Sequence, residues 1–260
     1  MLTIKDTFKK FGILVLCTGI YPDKTGGAEV HVFYMCNKLT ERGHHVFVIS
    51  SASTLPSKTS NENTPLGILL KPWPTPFGIL SYIIKSFIVS FKLRKQIDIV
   101  HVHTALYPMI PAFLFSLFGR KPYLVTCHGS DIRISSRKFL RRAFQLPFLQ
   151  HAKSIVTISN EMAKLLTQKY GIPKRKILVV GNAYDDRITE DLANIRLYAG
   201  TERSKRIICV ANMRPEKDHM TLLKGFARLI KSVNNVQLSL VGDGLLRDQL
   251  EEFCIQHNLH

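Results

Sequence analysis

Acidic residues are scarce in this 260-residue chain: 19 Asp and Glu stand against 36 Lys and Arg, a formal net charge of +17. So one-sided a field draws anionic partners. Its sign alone leaves nucleic acid, phospholipid and nucleotide-linked substrates open. Cysteine is sparse as well. Cys17, Cys36, Cys127, Cys209 and Cys254 are odd in number, and no two stand at metal-knuckle or redox-pair spacing. That argues against a zinc site or disulfide framework, and for buried thiols in a reducing cytosol. No apolar run reaches the roughly 20 residues that cross a bilayer. The longest, Phe77 to Phe91, is broken by Lys85 and three serines. The start, Met1-Leu-Thr-Ile-Lys-Asp, has no apolar stretch of the kind a secretory leader needs. A Gly-x-Gly-x-x-Gly fingerprint is missing, which lowers a nicotinamide reading. No recognition helix, zinc finger or aromatic stacking signature supports nucleic-acid binding.

What remains is a globular composition, 45% hydrophobic and 21% charged, long enough for one large domain or two smaller ones. The charge is unevenly spread. Residues 1–182 hold 25 Lys and Arg against eight Asp and Glu, while residues 183–260 hold eleven of each. The densest basic stretch carries Arg133, Arg137, Lys138, Arg141 and Arg142.

The hydrophobic pattern alternates strand and helix. Phe11 to Thr18 reads as a buried parallel strand. Apolar positions from Ala28 to Leu39 recur at helical spacing, and Gly43 stops that helix. Val46 to Ser50 is a second strand. Residues 51–76, rich in Ser, Thr, Asn and Pro, read as an irregular excursion. Helices follow over 79–95, 105–118, 139–150 (disturbed by Pro147) and 160–170. Strands follow over 97–103, 123–127, 155–159 and 177–180. Six alternations argue for a doubly wound α/β domain over residues 1–182. After a polar stretch from Tyr184 to Ser204 come a strand at 206–210, a helix at 218–231, a strand at 236–241 and a helix from about Leu245. Two such units fall short of the roughly 5–6 strands of an average sheet. Residues 183–260 therefore read as an incomplete second Rossmann-like domain, or one completed from outside the chain.

Ligands of open α/β sheets bind beyond the carboxyl ends of the strands, and four loops fall there. Gly26-Gly27-Ala28-Glu29 lets backbone approach a ligand and aims free N–H groups at an anion; a plain tight turn is the competing reading. His128-Gly129-Ser130-Asp131 sets polar side chains directly after a strand. His101 and His103 face one way by alternation and read as satisfied core or edge histidines. Ser159-Asn160-Glu161 reads equally well as a helix cap. Asn212-Met213-Arg214-Pro215-Glu216-Lys217-Asp218 offers Arg and Lys to phosphates, or is a solvated turn capped by Asp218.

Six motifs in order then resemble the retaining GT-B glycosyltransferases of family 4. They are Gly26-Gly27-Ala28-Glu29 with its helix through Val46, Asp98 to His103, Thr126-Cys-His128-Gly, Ile155 to Ser159, Pro215-Glu-Lys217 and Val241-Gly-Asp-Gly244. The resemblance implies two facing Rossmann-like domains, the first for the acceptor and the second mostly for a nucleotide-sugar donor. It implies that Gly26 and Gly27 approach the donor phosphate, that His128 lies near the transferred sugar, and that Lys217 neutralises the leaving diphosphate. Asn212 and Arg214 join Lys217 on the phosphates. Glu29, Asp131 and Ser159 fall on the acceptor side. No cofactor and no protein-bound metal is implied, and retention proceeds by front-face departure and attack without a protein nucleophile.

Two departures stand out. Ala211-Asn212 replaces the family's Gly-Arg, with Arg214 two residues later. The chain also ends before the family's paired-glutamate motif, Glu-x7-Glu. The expectation is a hexosyltransferase, or a fragment of one, that acts on a glycan or lipid-linked acceptor in polysaccharide or lipopolysaccharide synthesis. It would rest on the cytoplasmic face of an anionic membrane through Arg133, Arg137, Lys138, Arg141 and Arg142. The alternative is a truncated, non-catalytic relative that binds acceptor or membrane.

Overall fold

The computed structural model describes residues 9–22, 26–50, 66–69, 76–182 and 205–259. The chain's first residues, most of the 51–76 excursion and the polar stretch from Tyr184 to Ser204 lie outside them. Two compact units divide the chain, Met1–Thr189 and Glu190–His260.

The first unit is a seven-stranded parallel sheet. Its elements run β1 (Gly12–Cys17), α1 (Gly27–Glu41), β2 (His45–Ser50), β3 (Leu66–Leu69), α2 (Pro76–Lys92), β4 (Ile99–His103), α3 (Met109–Phe118) and β5 (Tyr123–Cys127). They continue with α4 (Ser130–Ser136), α5 (Phe139–His151), β6 (Ser154–Thr157), α6 (Asn160–Tyr170) and β7 (Ile177–Val179). The strand order is β3-β2-β1-β4-β5-β6-β7, every neighbour parallel. All six residues of β1 are buried, because a central parallel strand is covered on both faces. Ile13, Val15 and Cys17 pack toward Val32 and Cys36 of α1. Leu14 and Leu16 face the other way, into a core shared with Tyr82 of α2, Phe115 of α3, Leu149 of α5 and Leu166 of α6. The winding direction reverses between β1 and β4. Their carboxyl ends form the switch point at which ligands of such sheets bind.

Several sequence expectations change. Residues 66–69 form a strand paired with β2, not irregular chain. Ser130 and Asp131, expected in a loop, open α4; Gly129 at φ +115° supplies the sharp turn into it. α5 runs through Pro147, since proline removes one N–H and the carbonyl it orphans belongs to exposed Ala143. α3 starts at Met109, not Ala105, with Pro108 as its N-cap; the residue before Pro108 is biased away from helical backbone. The thiol expectation holds for Cys17, Cys36 and Cys127, which are buried; Cys209 and Cys254 are partly exposed, and no disulfide forms.

The second unit pairs β8 (Lys205–Val210) with β9 (Val236–Val241) in parallel. α7 (His219–Leu229) and α8 (Arg247–Gln256) cover one side of that pair. Met213, Leu223 and Leu250 form its buried core. Ile208, Val210 and Val241 remain exposed.

Candidate active site

The site is built at the switch point from three loops. After β1, Gly26 caps α1 without any side-chain hydrogen bond. Its carbonyl accepts from the Val30 N–H at 3.0 Å. The Glu29 carboxylate folds back over this start, so a Cβ on Gly26 would lie 2.2 Å from Glu29 Oε2. A side chain there would have only to displace the flexible end of Glu29, since Gly26 itself holds an ordinary extended backbone. A Cβ on Gly27 would meet nothing within 4 Å. The first turn of α1 thus has no side-chain cap from Gly26 and open space beside Gly27, with the Glu29 carboxylate at its edge.

Four imidazoles converge on the same end. His103 Nδ1 and His128 Nε2 lie 3.1 Å apart. The rings of His101 and His103 are 4.1 Å apart. His31 of α1 lies 5.5 Å from His128 and 6.0 Å from His103, centroid to centroid. His101 Nε2 meets Thr126 Oγ1 at 2.7 Å. His103 is buried, and its Nε2 finds no hydrogen-bond partner. A bare lone pair is the less costly orphan in a buried site. The hydrogen of His103 is thus assigned to Nδ1, which donates to His128 Nε2; His128 then carries its own hydrogen on Nδ1.

Burial lowers the pKa of all four rings. His101 is pushed down to about 3 by burial and by His128 and His31. His103 falls well below its ordinary range by burial and its three neighbours. His31 is lowered by burial. His128 is lowered by burial and His31, against the upward pull of Asp131 and Glu29. The cluster is neutral at physiological pH.

Backbone strain sits beside it. Thr104 holds φ +80°, a region that β-branched residues avoid. Its N–H donates to the Thr126 carbonyl at 3.0 Å, and its buried hydroxyl finds no partner. Asp131 holds the loops after β4 and β5 together. One of its oxygens accepts from the Ala105 N–H at 2.8 Å; the other accepts from Gly129 and Ile132 N–H at 2.9 and 3.1 Å. Gln145 donates to the Ala105 and Asp131 carbonyls and accepts from the Tyr170 hydroxyl at 2.8 Å.

The structure thus brings Gly26, Gly27, Glu29 and His128 to one place. Asp131 is buried and committed to backbone, a scaffold position. Ser159 caps α6, its hydroxyl accepting from Met162 N–H at 3.3 Å. His31 and His103 are additions that the sequence reading passed over or took for satisfied core. The signal was there: His31 stands four residues after Gly27, one helical turn along the same face. A groove of about 820 Å³ lined by Lys9, Phe11, Arg42 and Asp98 lies at the opposite, amino-terminal end of the strands and shares no residue with this site.

In the second unit, Asn212, Arg214 and Lys217 are exposed on the loop after β8. Met213 anchors that loop: it is buried, its N–H donates to the Asp243 carbonyl at 2.9 Å, and its carbonyl accepts from Leu246 N–H at 3.1 Å. Pro215–Lys217 form one 3-10 turn. A Cβ on Gly242 would lie 2.1 Å from the Ala211 carbonyl oxygen, and one on Gly244 2.6 Å from that of Met213. The Val241-Gly-Asp-Gly244 motif is therefore what lets two loops touch. Asp218 starts α7 at φ +50° and gives no side-chain cap, contrary to the solvated-cap reading.

The basic stretch lies on α4 and α5. Arg133, Arg137, Lys138 and Arg141 are exposed, and Arg142 is partly covered, its guanidinium 5.8 Å from the Phe139 ring. Arg133 also pairs with Glu161 at 3.3 Å. Among the described residues no three His, Cys, Asp or Glu side chains converge in metal-ligating geometry.

Known proteins resemble this chain in sequence and fold. The profile of Glycosyltransferase Family 4 matches residues 25–188. N-acetyl-alpha-D-glucosaminyl L-malate synthase of Bacillus anthracis is 27% identical over 255 residues, covering 92% of this chain and 64% of that protein. The phosphatidylinositol N-acetylglucosaminyltransferase GPI3 subunit of Saccharomyces cerevisiae is 22% identical, covering 96% of this chain and 56% of its own length. The chain thus spans less than two thirds of these relatives. Among solved structures, Anabaena Alr3699/HepE in complex with UDP and glucose superposes with a TM-score of 0.70 at 18% identity, over 96% of this chain and 67% of that one.

Proposed function

Because the chain belongs to Glycosyltransferase Family 4, we propose that it moves a hexose-type sugar from a nucleotide-sugar to a glycan or lipid-linked acceptor, with retention of configuration. The observation that carries this is the uncapped, open start of α1 at Gly27 beside His128. A neutral imidazole next to free backbone donors suits a sugar hydroxyl and a phosphate, not an ionised substrate alone. The relatives' names speak of N-acetylglucosaminyl transfer, and the structural neighbour holds UDP and glucose. We carry over to this chain a UDP-linked hexose as donor.

In this reading His128 donates from Nδ1 to a hydroxyl of the transferred sugar, positioned by His103. Gly26 and Gly27 admit the donor phosphate. Lys217, with Arg214 and Asn212, neutralises the charge that grows on the departing diphosphate, a contribution of about 3 kcal/mol or more for one such donor. Glu29 faces the acceptor. The bond from sugar C1 to phosphate oxygen breaks, and the acceptor oxygen forms its bond on the same face. Its proton leaves with the diphosphate. No side chain is asked to act as nucleophile, and no bound metal or other cofactor is required. The cytoplasmic face of an anionic membrane is the proposed setting, with Arg133, Arg137, Lys138, Arg141 and Arg142 toward the lipid.

The test is sugar transfer from labelled UDP-glucose and UDP-N-acetylglucosamine to a lipid extract, with product anomers read by NMR. The α-configured product is expected, and Lys217→Ala should slow it on the order of 100-fold. An inverted product would remove the retaining mechanism. Binding of UDP without any transfer would favour a non-catalytic relative, the second reading.

A further inference from the structure

α2 is apolar on two sides. A surface helix normally turns one apolar stripe to the core and its polar side to water. Here Gly78, Tyr82, Ser86 and Ser90, spaced four apart, are buried, and Ile83, Phe87 and Val89 pack against the core beside them. Phe77, Leu80, Ile84, Ile88 and Phe91, spaced 3, 4, 4 and 3 apart, form one stripe facing outward. Their exposures run from 36% at Phe91 to 73% at Phe77. The helix cannot roll over to hide them. Tyr82 donates to the Cys17 carbonyl at 3.2 Å at the end of β1, which locks its inner side to the sheet.

The stripe continues onto α3. Exposed Leu117 and Phe118 end that helix, and the Phe118 ring lies 6.0 Å from Phe87 of α2. The rim is basic throughout: Lys85, Lys92, Arg94, Lys95 and Arg120 are exposed. Residues 63–130 contain one carboxylate, Asp98, and that one accepts from the Gly12 N–H at 2.8 Å. Among the described residues no helix is long and apolar enough to cross a membrane.

We propose that the outer face of α2, continued by the end of α3, docks the chain on an anionic bilayer, its stripe lying in the headgroup boundary and its basic rim on lipid phosphates. A helix that lies in the interface needs this combination of bulky apolar side chains and flanking cations. A second copy fits poorly, because a two-fold pairing would set the basic rim against itself. The surface adjoins α5, where the Phe113 ring of α3 lies 5.4 Å from Phe148, but uses none of the basic residues of the α4–α5 stretch; it does not depend on sugar transfer.

The experiment is sedimentation of the full chain with vesicles of phosphatidylcholine containing 30 mol% phosphatidylglycerol, and with pure phosphatidylcholine. Binding is expected to the first and at least tenfold weaker to the second. Ile84→Ser with Ile88→Ser should weaken binding at least tenfold while the circular dichroism is unchanged. As a positive readout, Ile84→Trp in a Trp73→Phe background should be quenched by dibrominated lipid. Three results would overturn the proposal: no binding to the anionic vesicles, equal binding by the double-serine variant, or an unquenched tryptophan. Loss of binding only on charge removal at Arg137, Lys138 and Arg141 would move the surface to α5. A dimer in sedimentation velocity that the serine pair abolishes would assign the stripe to self-association.

Discussion

His101 illustrates how much a single buried ring ties stability to pH. Its pKa falls to about 3 in the fold, while the unfolded chain protonates near pH 6.5. Below pH 6.5 the unfolded state therefore binds more protons than the native one. Stability is complete above that pH and declines as pH falls toward about 3, by up to about 1.4 kcal/mol per pH unit for each proton excluded. His103, lowered in the same direction, adds to the slope. Thermal unfolding between pH 7.5 and 4.5 measures it. His101→Asn keeps a polar contact for Thr126 and should flatten the slope; an unchanged slope would assign the acid sensitivity elsewhere. Asp131 is a second residue with a defined cost. Its two oxygens take three backbone N–H groups, so Asp131→Asn turns an amide donor toward at least one of them. A loss of about 2–3 kcal/mol is expected in urea unfolding.

Among the elements, Gly242 and Gly244 make the sharpest case. Their missing side chains let the loop after β9 touch the loop after β8. Gly242→Ala should destabilise the second unit by more than about 2 kcal/mol, since backbone and not a flexible side chain lies 2.1 Å from the new Cβ. Hydrogen exchange at β8 and β9 amides reads the loss, with β1 and β4 as internal controls. Elements of this kind differ in how plainly the sequence announces them. β5 is a mostly buried apolar run, α6 lies between a Ser cap and a Gly stop, and β9 alternates half-buried and exposed residues; the limits of all three are legible residue for residue. β3 was hidden because Leu66–Leu69 is a short edge strand set in a polar, proline-rich excursion. α4 was hidden because Ser130-Asp131 after a strand suggests a polar loop, and seven residues give periodicity little to work on. The site was half legible. Gly26, Gly27 and His128 stand at strand ends, where the parallel topology puts ligands. His31 belongs to a helix and His103 to a strand interior. The β4–β5 pairing sets His103 beside His128, and the β1–β4 pairing, which spans more than 80 residues of chain, brings His31 to them.

Over the whole molecule the charge imbalance dominates. The excess of 25 basic over eight acidic residues falls within residues 1–182, and the ion pairs among the described residues are exposed. Exposed pairs contribute little, so self-repulsion of the first unit outweighs them. Raising salt from 0.1 to 1 M shortens the screening length from about 10 to 3 Å. The thermal midpoint at pH 7.5 should rise by a few degrees; a fall would mean that attraction, not repulsion, governs this surface. The same field suits both proposed partners, a diphosphate-linked sugar and an anionic bilayer.

The central claim is that a nucleotide-sugar binds with its sugar at His128. The most direct test is calorimetric titration of the chain and of His128→Ala with UDP-glucose and with UDP. The account predicts that the substitution weakens UDP-glucose about fivefold or more, the worth of a single hydrogen bond, and leaves UDP unchanged. Equal affinity of both proteins for UDP-glucose, or an equal loss for the two ligands, would contradict it.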